Sequence, residues 1–203
     1  MLSVAAFPDL HPGRYGPVGA AFLADRIYPQ LIGPDIGCGM ALFRLSLPAR
    51  KLNLDKAARR LTTLDAGLDA DAAEVRVRDA GLTLSGAGLG TIGGGNHFCE
   101  VLEVSAAQAD TVGLAQVDLC LLVHTGSRGH GAAGFLGTDA PWKDGYAAGS
   151  PEALAYLRTH DAALRWAALN RRVIADLAAE ALRCDATLIC DAVHNAAEPW
   201  GDG

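Results

Sequence analysis

The residues with the clearest chemical potential are Asp35 and Cys38, which lie three positions apart between glycines and a proline. Three histidines also stand beside turns of small or polar residues: His97, His124 and His194. A thiolate with imidazole and carboxylate partners suits Mn, Fe, Co or Zn better than Mg or Ca, which prefer oxygen ligands. Five candidate ligands exceed what a single tetrahedral ion takes. The set therefore predicts two metal ions, with Cys38 able to bridge them.

Each of these residues also has an ordinary structural interpretation. Cys38 alone is compatible with a small buried hydrophobic residue, and Asp35 with a turn residue that bonds its own backbone. A single histidine at a strand end is more often a satisfied polar residue than a ligand. Glycines on both sides of Cys38 and before Asn96 favour the metal site, because they let the backbone approach an ion closely.

Two loops have the composition of phosphate-binding turns. Residues 93–96, Gly-Gly-Gly-Asn, are compatible with a nest of backbone amides, but they match neither the P-loop nor the dinucleotide fingerprint. Residues 125–129 combine hydroxyls, amides and the guanidinium of Arg128, which suits a phosphate oxygen; a polar turn with a solvated arginine is the alternative.

Asp9 and His11 either orient a catalytic imidazole or only shape their loop.

Composition limits the class of protein. The chain has 203 residues, 24 of them glycine, and a net charge of −6, which argues against a general nucleic-acid coat without excluding a local basic groove. An odd number of cysteines without a Cys-x-x-Cys pair predicts a reduced, cytoplasmic compartment. We find neither a membrane-spanning apolar run nor a secretory leader at the first residues, and expect a single domain over residues 1–203.

The first part of the chain is predicted to contain a loop and two strands. Proline and glycine interrupt residues 7–20, so we expect an ordered loop there. Residues 28–47 are apolar with three glycines, which favours two short strands around a bend. That bend would present Asp35 and Cys38.

Three later segments have the pattern of strands: residues 98–104, 117–123 and 186–190. The first alternates apolar and acidic residues, whereas the other two are short apolar runs typical of buried strands. His97 enters the first strand and His124 ends the second. The third would deliver His194 and Asn195 to the same region.

Two segments are predicted to be helices. Residues 53–68 have the spacing of a surface helix capped by Asn53, with Gly67 near its end. Residues 150–184 give the strongest helical signal, because Ser150 can cap them and a proline follows at the first helical position. Its apolar residues recur at helical spacing: Leu154, Leu157, Leu164, Leu169, Val173, Leu177 and Leu182. Its arginines are expected on a solvated or RNA-facing surface: Arg158, Arg165, Arg171, Arg172 and Arg183.

Helices interleaved with short strands in no clean βαβ order indicate an α+β fold with mixed short-strand sheets and packed helices.

Five motifs occur in a characteristic order, at residues 8–13, 35–40, 93–98, 124–129 and 194–195. In this order they resemble the RtcB family of RNA-splicing ligases over essentially the whole chain.

The resemblance implies a GTP-dependent ligase that joins an RNA 3′-phosphate or 2′,3′-cyclic phosphate to a 5′-hydroxyl with two Mn(II) ions, in tRNA splicing or RNA repair. It implies one ion held by Asp35, Cys38 and His97, and a second held by Cys38, His124 and His194. The residues implied to contact the guanine nucleotide are Asn96, Phe98, Glu100 and Asn195. Asp9 would orient the nucleophilic histidine and Arg128 would bind RNA phosphate. Some compact members are encoded beside a release-factor homologue, which implies a functional partner.

One family feature is absent from these residues. The nucleophilic histidine of the family lies in a His-Gly-Ala-Gly-Arg motif after the histidine–asparagine pair, and residues 1–203 do not contain it. We therefore expect the metal-binding portion of a ligase lacking its C-terminal part, inactive alone. Two alternatives are a dinuclear metal-dependent phosphoesterase that opens cyclic phosphates without joining ends, and a non-catalytic metal-binding remnant.

Overall fold

A computed structural model of the chain describes residues 1–13, 16–105, 113–136 and 144–200. The strands are β1 (Ser3–Pro12), β2 (Pro17–Leu23), β3 (Arg26–Ile27), β4 (Gly39–Leu45), β5 (Phe98–Glu103), β6 (Leu119–Thr125), β7 (Tyr146–Ala147) and β8 (Ala186–Val193). The helices are α1 (Pro29–Ile32), α2 (Leu54–Leu61), α3 (Ala70–Asp79), α4 (Gly129–Leu136) and α5 (Pro151–Leu182). Small sheets and packed helices confirm the coarse prediction of a mixed fold.

The centre of the fold is a four-stranded antiparallel sheet in the order β5-β6-β4-β8. Alternate residues of its two inner strands, including Phe43, Leu121 and Val123, pack against Ile174 of α5 in the main core. A second cluster joins α3 to the same helix around Trp166. The long helix therefore covers one face of the sheet and links both apolar clusters.

Helix α5 begins where the sequence predicts, because the Ser150 hydroxyl accepts a hydrogen bond from the amide of Ala153 at 3.1 Å. It ends at Leu182, and the next residue, Arg183, caps it in the left-handed region with a φ of 62°. The predicted leucine stripe is buried only in its later part, since Leu154 is 48% exposed whereas Val173 and Leu182 belong to the core. The buried residues of the helix are mostly small or polar: Ala153, Tyr156, His160, Ala163, Trp166, Ala167, Asn170, Arg171, Val173, Ile174, Ala175, Ala178, Ala179 and Leu182.

The segment 53–68 is helical as predicted, in two parts. Asn53 caps α2 by accepting a hydrogen bond from the amide of Lys56 at 2.9 Å. A 3-10 turn over Thr62–Ala66 then leads to Gly67, whose φ is 65°. The sequence does not predict helices α3 and α4. Glycines obscure the helical pattern of α4. One of them, Gly131, leaves room for the Pro34 carbonyl to approach the helix closely.

Three predictions about strands are corrected by the structure. Residues 7–20 belong largely to the hairpin of β1 and β2, whose pairing is interrupted between Ala6 and His11, so the ladder tolerates Pro8 there. Residues 28–47 contain α1 and a single strand, β4, rather than two strands. The last strand, β8, is mostly exposed rather than buried because it lies at the sheet edge. Among the described residues, none of the helices has the length and apolar character needed to span a bilayer.

Candidate metal centre

The five candidate ligands meet at one end of the four-stranded sheet, where its strands begin or stop. Asp35 and Cys38 precede the first residue of β4, and His97 precedes the first residue of β5. His124 and His194 come from the opposite ends of their strands, near the end of β6 and just after β8. Because neighbouring strands are antiparallel, strand starts and strand ends lie at the same end of the sheet.

The first group of donors consists of Asp35, Cys38 and His97. The Nε2 atom of His97 lies 3.1 Å from Oδ2 of Asp35 and 3.5 Å from Sγ of Cys38. The histidine side chain is only 6% exposed, whereas that of Asp35 is 39% exposed. The three donor atoms therefore face one another at a half-open site.

The second group consists of Cys38, His124 and His194. The Nε2 atom of His124 lies 3.3 Å from Sγ of Cys38 and 3.3 Å from Nε2 of His194. The opposite ring atom of His124, Nδ1, donates a hydrogen bond to the carbonyl of Asn96 at 2.9 Å. With Nδ1 as the donor, the lone pair of Nε2 faces Cys38 and His194 and is available to a cation.

The charges of the site suit a cation. Burial raises the pKa of the Asp35 carboxyl, but hydrogen bonds from His97 and Cys38 outweigh it and leave that pKa below its ordinary value. Burial, reinforced by the Asp35 carboxylate, raises the pKa of the Cys38 thiol strongly. Burial also lowers the pKa values of His124 and His194. The donors therefore include a carboxylate, the neutral imidazoles of His124 and His194, and a thiol whose ionisation needs a nearby cation, and they fit a transition-metal pair.

The turn that carries Asp35 and Cys38 is held tightly by backbone contacts. The amide of Gly37 donates to the carbonyl of Asn195 at 2.9 Å, and the amide of His194 donates to the carbonyl of Cys38 at 3.0 Å. Gly37 has a φ of 77°, and a Cβ there would lie 2.8 Å from the Cβ of Ala167 on α5. Glycine is thus required at this position by both its backbone conformation and the close helix.

The residues predicted to contact the nucleotide lie close to the donors but differ in what they contact. The side-chain Nδ2 atom of Asn195 donates a hydrogen bond to the backbone carbonyl of Asp35 at 2.6 Å, and this bond secures the turn that carries Asp35 and Cys38. The ring of Phe98 packs edge-on against His124, with centroids 5.2 Å apart. Asn96 and Glu100 are exposed.

Arg128 and Asp9 lie near the site in different settings. Arg128 adopts a φ of 56°, and its Nη1 atom lies 3.4 Å from Nδ1 of His97. Its guanidinium fills the space that a side chain at Gly93 would need. Asp9 is exposed on β1, and its carbonyl accepts a hydrogen bond from His11 Nδ1 at 2.5 Å.

Contrary to the prediction, Arg171 does not lie on a solvated or RNA-facing helix surface. It is fully buried, as are its neighbour Asn170 and His160 of the same helix. Nothing in the local sequence distinguishes Arg171 from Arg172, which is about half exposed at 47%. Only the helical phase set by the buried alanines of α5 would have indicated the difference.

Comparison with known proteins now decides the family. The family described as tRNA-splicing ligase RtcB matches residues 1–79 and 60–134, which together cover more than half of the chain. The chain belongs to the RtcB family. The resemblance predicted from the five motifs is thereby confirmed.

Individual RtcB proteins match over most of the chain. The RNA-splicing ligase RtcB2 of Escherichia coli is 41% identical over 207 residues, covering 96% of this chain and 53% of the relative. The RNA-splicing ligase RtcB of Mycobacterium tuberculosis is 27% identical, with 95% of this chain and 62% of the relative covered. The chain thus spans about half the length of the curated relatives it matches.

Proposed function

We propose that residues 1–203 form one metal- and nucleotide-binding domain of an RNA ligase. The reaction proposed is the joining of an RNA 3′-phosphate or 2′,3′-cyclic phosphate end to a 5′-hydroxyl end, with GTP and Mn(II), in tRNA splicing or RNA repair. The observation that carries the proposal is the pair of three-residue donor groups that share Cys38. The names of the relatives, RNA-splicing ligases, support the substrate class.

In this proposal, Asp35, Cys38 and His97 hold one manganese ion, and Cys38, His124 and His194 hold the other. Ions at this place would neutralise charge on phosphoryl oxygens and so favour attack of a nucleophile on the phosphorus atom. The thiolate and imidazoles favour a transition metal over Mg or Ca, and Mn(II) is the member of that group implied by the family.

The remaining predicted residues would bind the two substrates. Asn96, Phe98, Glu100 and Asn195 line the guanine nucleotide, and Arg128 contacts RNA phosphate. A histidine nitrogen attacks the α-phosphate of GTP and pyrophosphate leaves. The guanylate then passes to the RNA 3′-phosphate, and the 5′-hydroxyl displaces GMP.

Asp9 is proposed to orient that nucleophilic histidine, which in the family lies in a His-Gly-Ala-Gly-Arg motif. Because residues 1–203 do not contain the motif, we propose that they bind metal without becoming guanylylated by themselves. We also propose a cytoplasmic location and a functional link to a release-factor homologue. The proposed location rests on the sequence, in which five cysteines, an odd number without a Cys-x-x-Cys pair, are typical of a reducing compartment.

The metal content of the protein tests whether the two donor groups that share Cys38 bind ions. Residues 1–203 loaded with Mn(II) and desalted are expected to retain two ions per chain. Cys38→Ala should lose both, because both groups need the shared sulfur, whereas Cys190→Ala, which removes an exposed thiol from β8, should keep both. Fewer than one ion per wild-type chain would contradict the proposal.

A ligation assay tests the reaction. A chain that continues through the His-Gly-Ala-Gly-Arg motif should acquire label from α-labelled GTP and join RNA ends, whereas residues 1–203 should remain unlabelled. Absence of label on the longer chain would refute ligation. Opening of a cyclic phosphate without joining would favour the phosphoesterase alternative instead.

A further inference from the structure

The buried polar side chains are concentrated around the candidate metal centre. Within the described ranges they are His124, Thr125, Ser127, His160, Asn170 and Arg171. The first is a proposed ligand, and every other one hydrogen-bonds to the backbone of a segment that carries a ligand. Thr125 donates to the Ile92 carbonyl at 3.0 Å and Ser127 to the Ile36 carbonyl at 2.6 Å. The other three belong to α5.

Asn170 holds the loop that leads to His97. Its Oδ1 atom accepts a hydrogen bond from the amide of Gly90 at 2.7 Å, and its Nδ2 atom donates to the carbonyl of Thr91 at 3.1 Å. These two bonds fix the peptide groups that precede and follow the pair Gly90–Thr91. Farther along this loop, a Cβ at Gly94 or Gly95 would meet nothing within 4 Å.

Arg171 holds the other three ligand-bearing segments at once. Its Nη1 atom donates to the carbonyl of Gly37, inside the ligand turn, at 2.8 Å and to the carbonyl of Thr125, next to His124, at 2.9 Å. Its Nε and Nη2 atoms form a two-point ion pair with Asp191 at 2.8 and 3.1 Å. Asp191 lies three residues before His194 in β8.

Packing alone does not account for a fully buried guanidinium at this place. Removing such a charge from water costs several kcal/mol, and apolar residues of similar volume often stabilise a fold equally well or better. Arginine is distinguished by a rigid set of five donors that can satisfy several acceptors in fixed geometry. Here those acceptors are the carbonyls and the carboxylate that set the positions of Cys38, His124 and His194.

We propose that Asn170 and Arg171 are positioning residues of the metal centre, which act through the backbone to set the spacing of the donor atoms. Two consecutive side chains of one helix thereby fix all four segments that carry the ligands. The inference rests on the proposed metal centre. It requires that loss of either side chain changes metal binding in protein that remains folded.

Cobalt(II) is the probe for the test, because its absorption bands report both thiolate ligation and coordination geometry. Arg171→Met should bind Co(II) about 10–100-fold more weakly than wild type and give altered bands, as is common when outer partners of metal ligands are removed. Asn170→Asp retains an acceptor for Gly90 but loses the donor to Thr91, and should show the same direction of change. Arg172→Met is the matched control, since that arginine pairs with Asp176 at 2.9 Å on the exposed side of the helix.

The outcomes separate the inference from the metal centre itself. A wild-type chain without a Co(II)–thiolate band would overturn both. A folded Arg171→Met protein with wild-type affinity and spectrum, whether or not its melting temperature falls, would overturn the inference and leave the centre intact. If that variant does not fold, Arg171→Lys retains the cation without the two-point geometry. It should fold and bind Co(II) at least about tenfold more weakly; unchanged binding would overturn the inference.

Discussion

The thiol of Cys38 determines how the candidate centre responds to pH. Burial and the adjacent Asp35 carboxylate raise the pKa of this thiol, so it is protonated at neutral pH in the absence of a cation. Burial lowers the pKa values of His124 and His194 from 6.5, so both rings are neutral above that pH. Metal binding above pH 6.5 must therefore displace a proton from the sulfur but none from these imidazoles.

We predict that the affinity for Mn(II) rises with pH between about 6.5 and 8.5, by about tenfold per pH unit for one displaced proton. The sign follows from the raised thiol pKa: each unit of pH below it makes the thiolate ten times scarcer. Metal titrations at several pH values, with proton release followed in weak buffer, check this. Affinity independent of pH, or binding without proton release, would contradict it.

At the residue scale, the sequence predicts donors better than it predicts the residues that support them. Asp35, Cys38 and the histidines are recognisable because each stands beside a glycine-rich or polar turn, and the structure brings all five together. Arg171 has no such local signal. Its role depends on two carbonyl partners that are distant in sequence. Gly37 lies 134 residues away and Thr125 lies 46 residues away.

At the element scale, the starts and ends of antiparallel strands explain why ligands distant in sequence converge. The pattern of residues 98–104 and 117–123 predicted β5 and β6 closely, whereas the order of the strands in the sheet required the folded chain. The leucine stripe of α5 predicted the helix correctly but only part of its buried side, since Leu154 is exposed whereas Val173 and Leu182 are buried. Small residues allow the helix to lie close to the ligand turn, and leucine counts do not detect that requirement.

The loop after β6 allows a sharp test of this close packing. A Cβ at Gly126 would overlap the Asp35 carboxylate and lie 3.2 Å from the amide of Cys38. We predict that Gly126→Ala displaces the carboxylate and weakens metal binding about tenfold or more. Its backbone has no positive φ, so the change acts through space rather than strain.

Gly94→Ala is the matched control for that prediction, because a Cβ there meets nothing within 4 Å. Titration of both variants with Mn(II), with circular dichroism to establish folding, checks the difference. Equal affinities in the two folded variants would show that the Asp35 side chain does not need the space at Gly126.

At the scale of the whole molecule, the centre joins segments that are otherwise separate. It ties the turn before β4, the loop before β5, the end of β6 and the end of β8, and the last of these is an edge strand with α5 on one side only. Ions bound at this end of the sheet act as cross-links between the segments. Metal loading should therefore stabilise the entire sheet.

We predict a metal-dependent rise in melting temperature. At a free Mn(II) concentration of a hundred dissociation constants, each bound ion adds about 2.7 kcal/mol to the free energy of unfolding. For a chain of this length that corresponds to a rise of about 5–11 °C for each ion, measurable by calorimetry. Cys38→Ala should show no rise, and Ca²⁺ should not replace Mn(II) because it prefers oxygen ligands. An unchanged melting temperature in wild-type protein would contradict the prediction.

The contact between Asn195 and Asp35 joins residues 160 positions apart, and it has a consequence for synthesis on the ribosome. The donors of the first group are all translated once His97 has emerged, whereas the second group waits for His194, about a hundred residues later. Contacts between residues so distant in sequence form late, because chain entropy opposes them until the intervening elements have folded. The turn and loop that carry the first group are themselves held by Arg171 and Asn170 of α5 and by Asn195. A nascent chain would therefore position neither donor group until α5 and β8 have been synthesised.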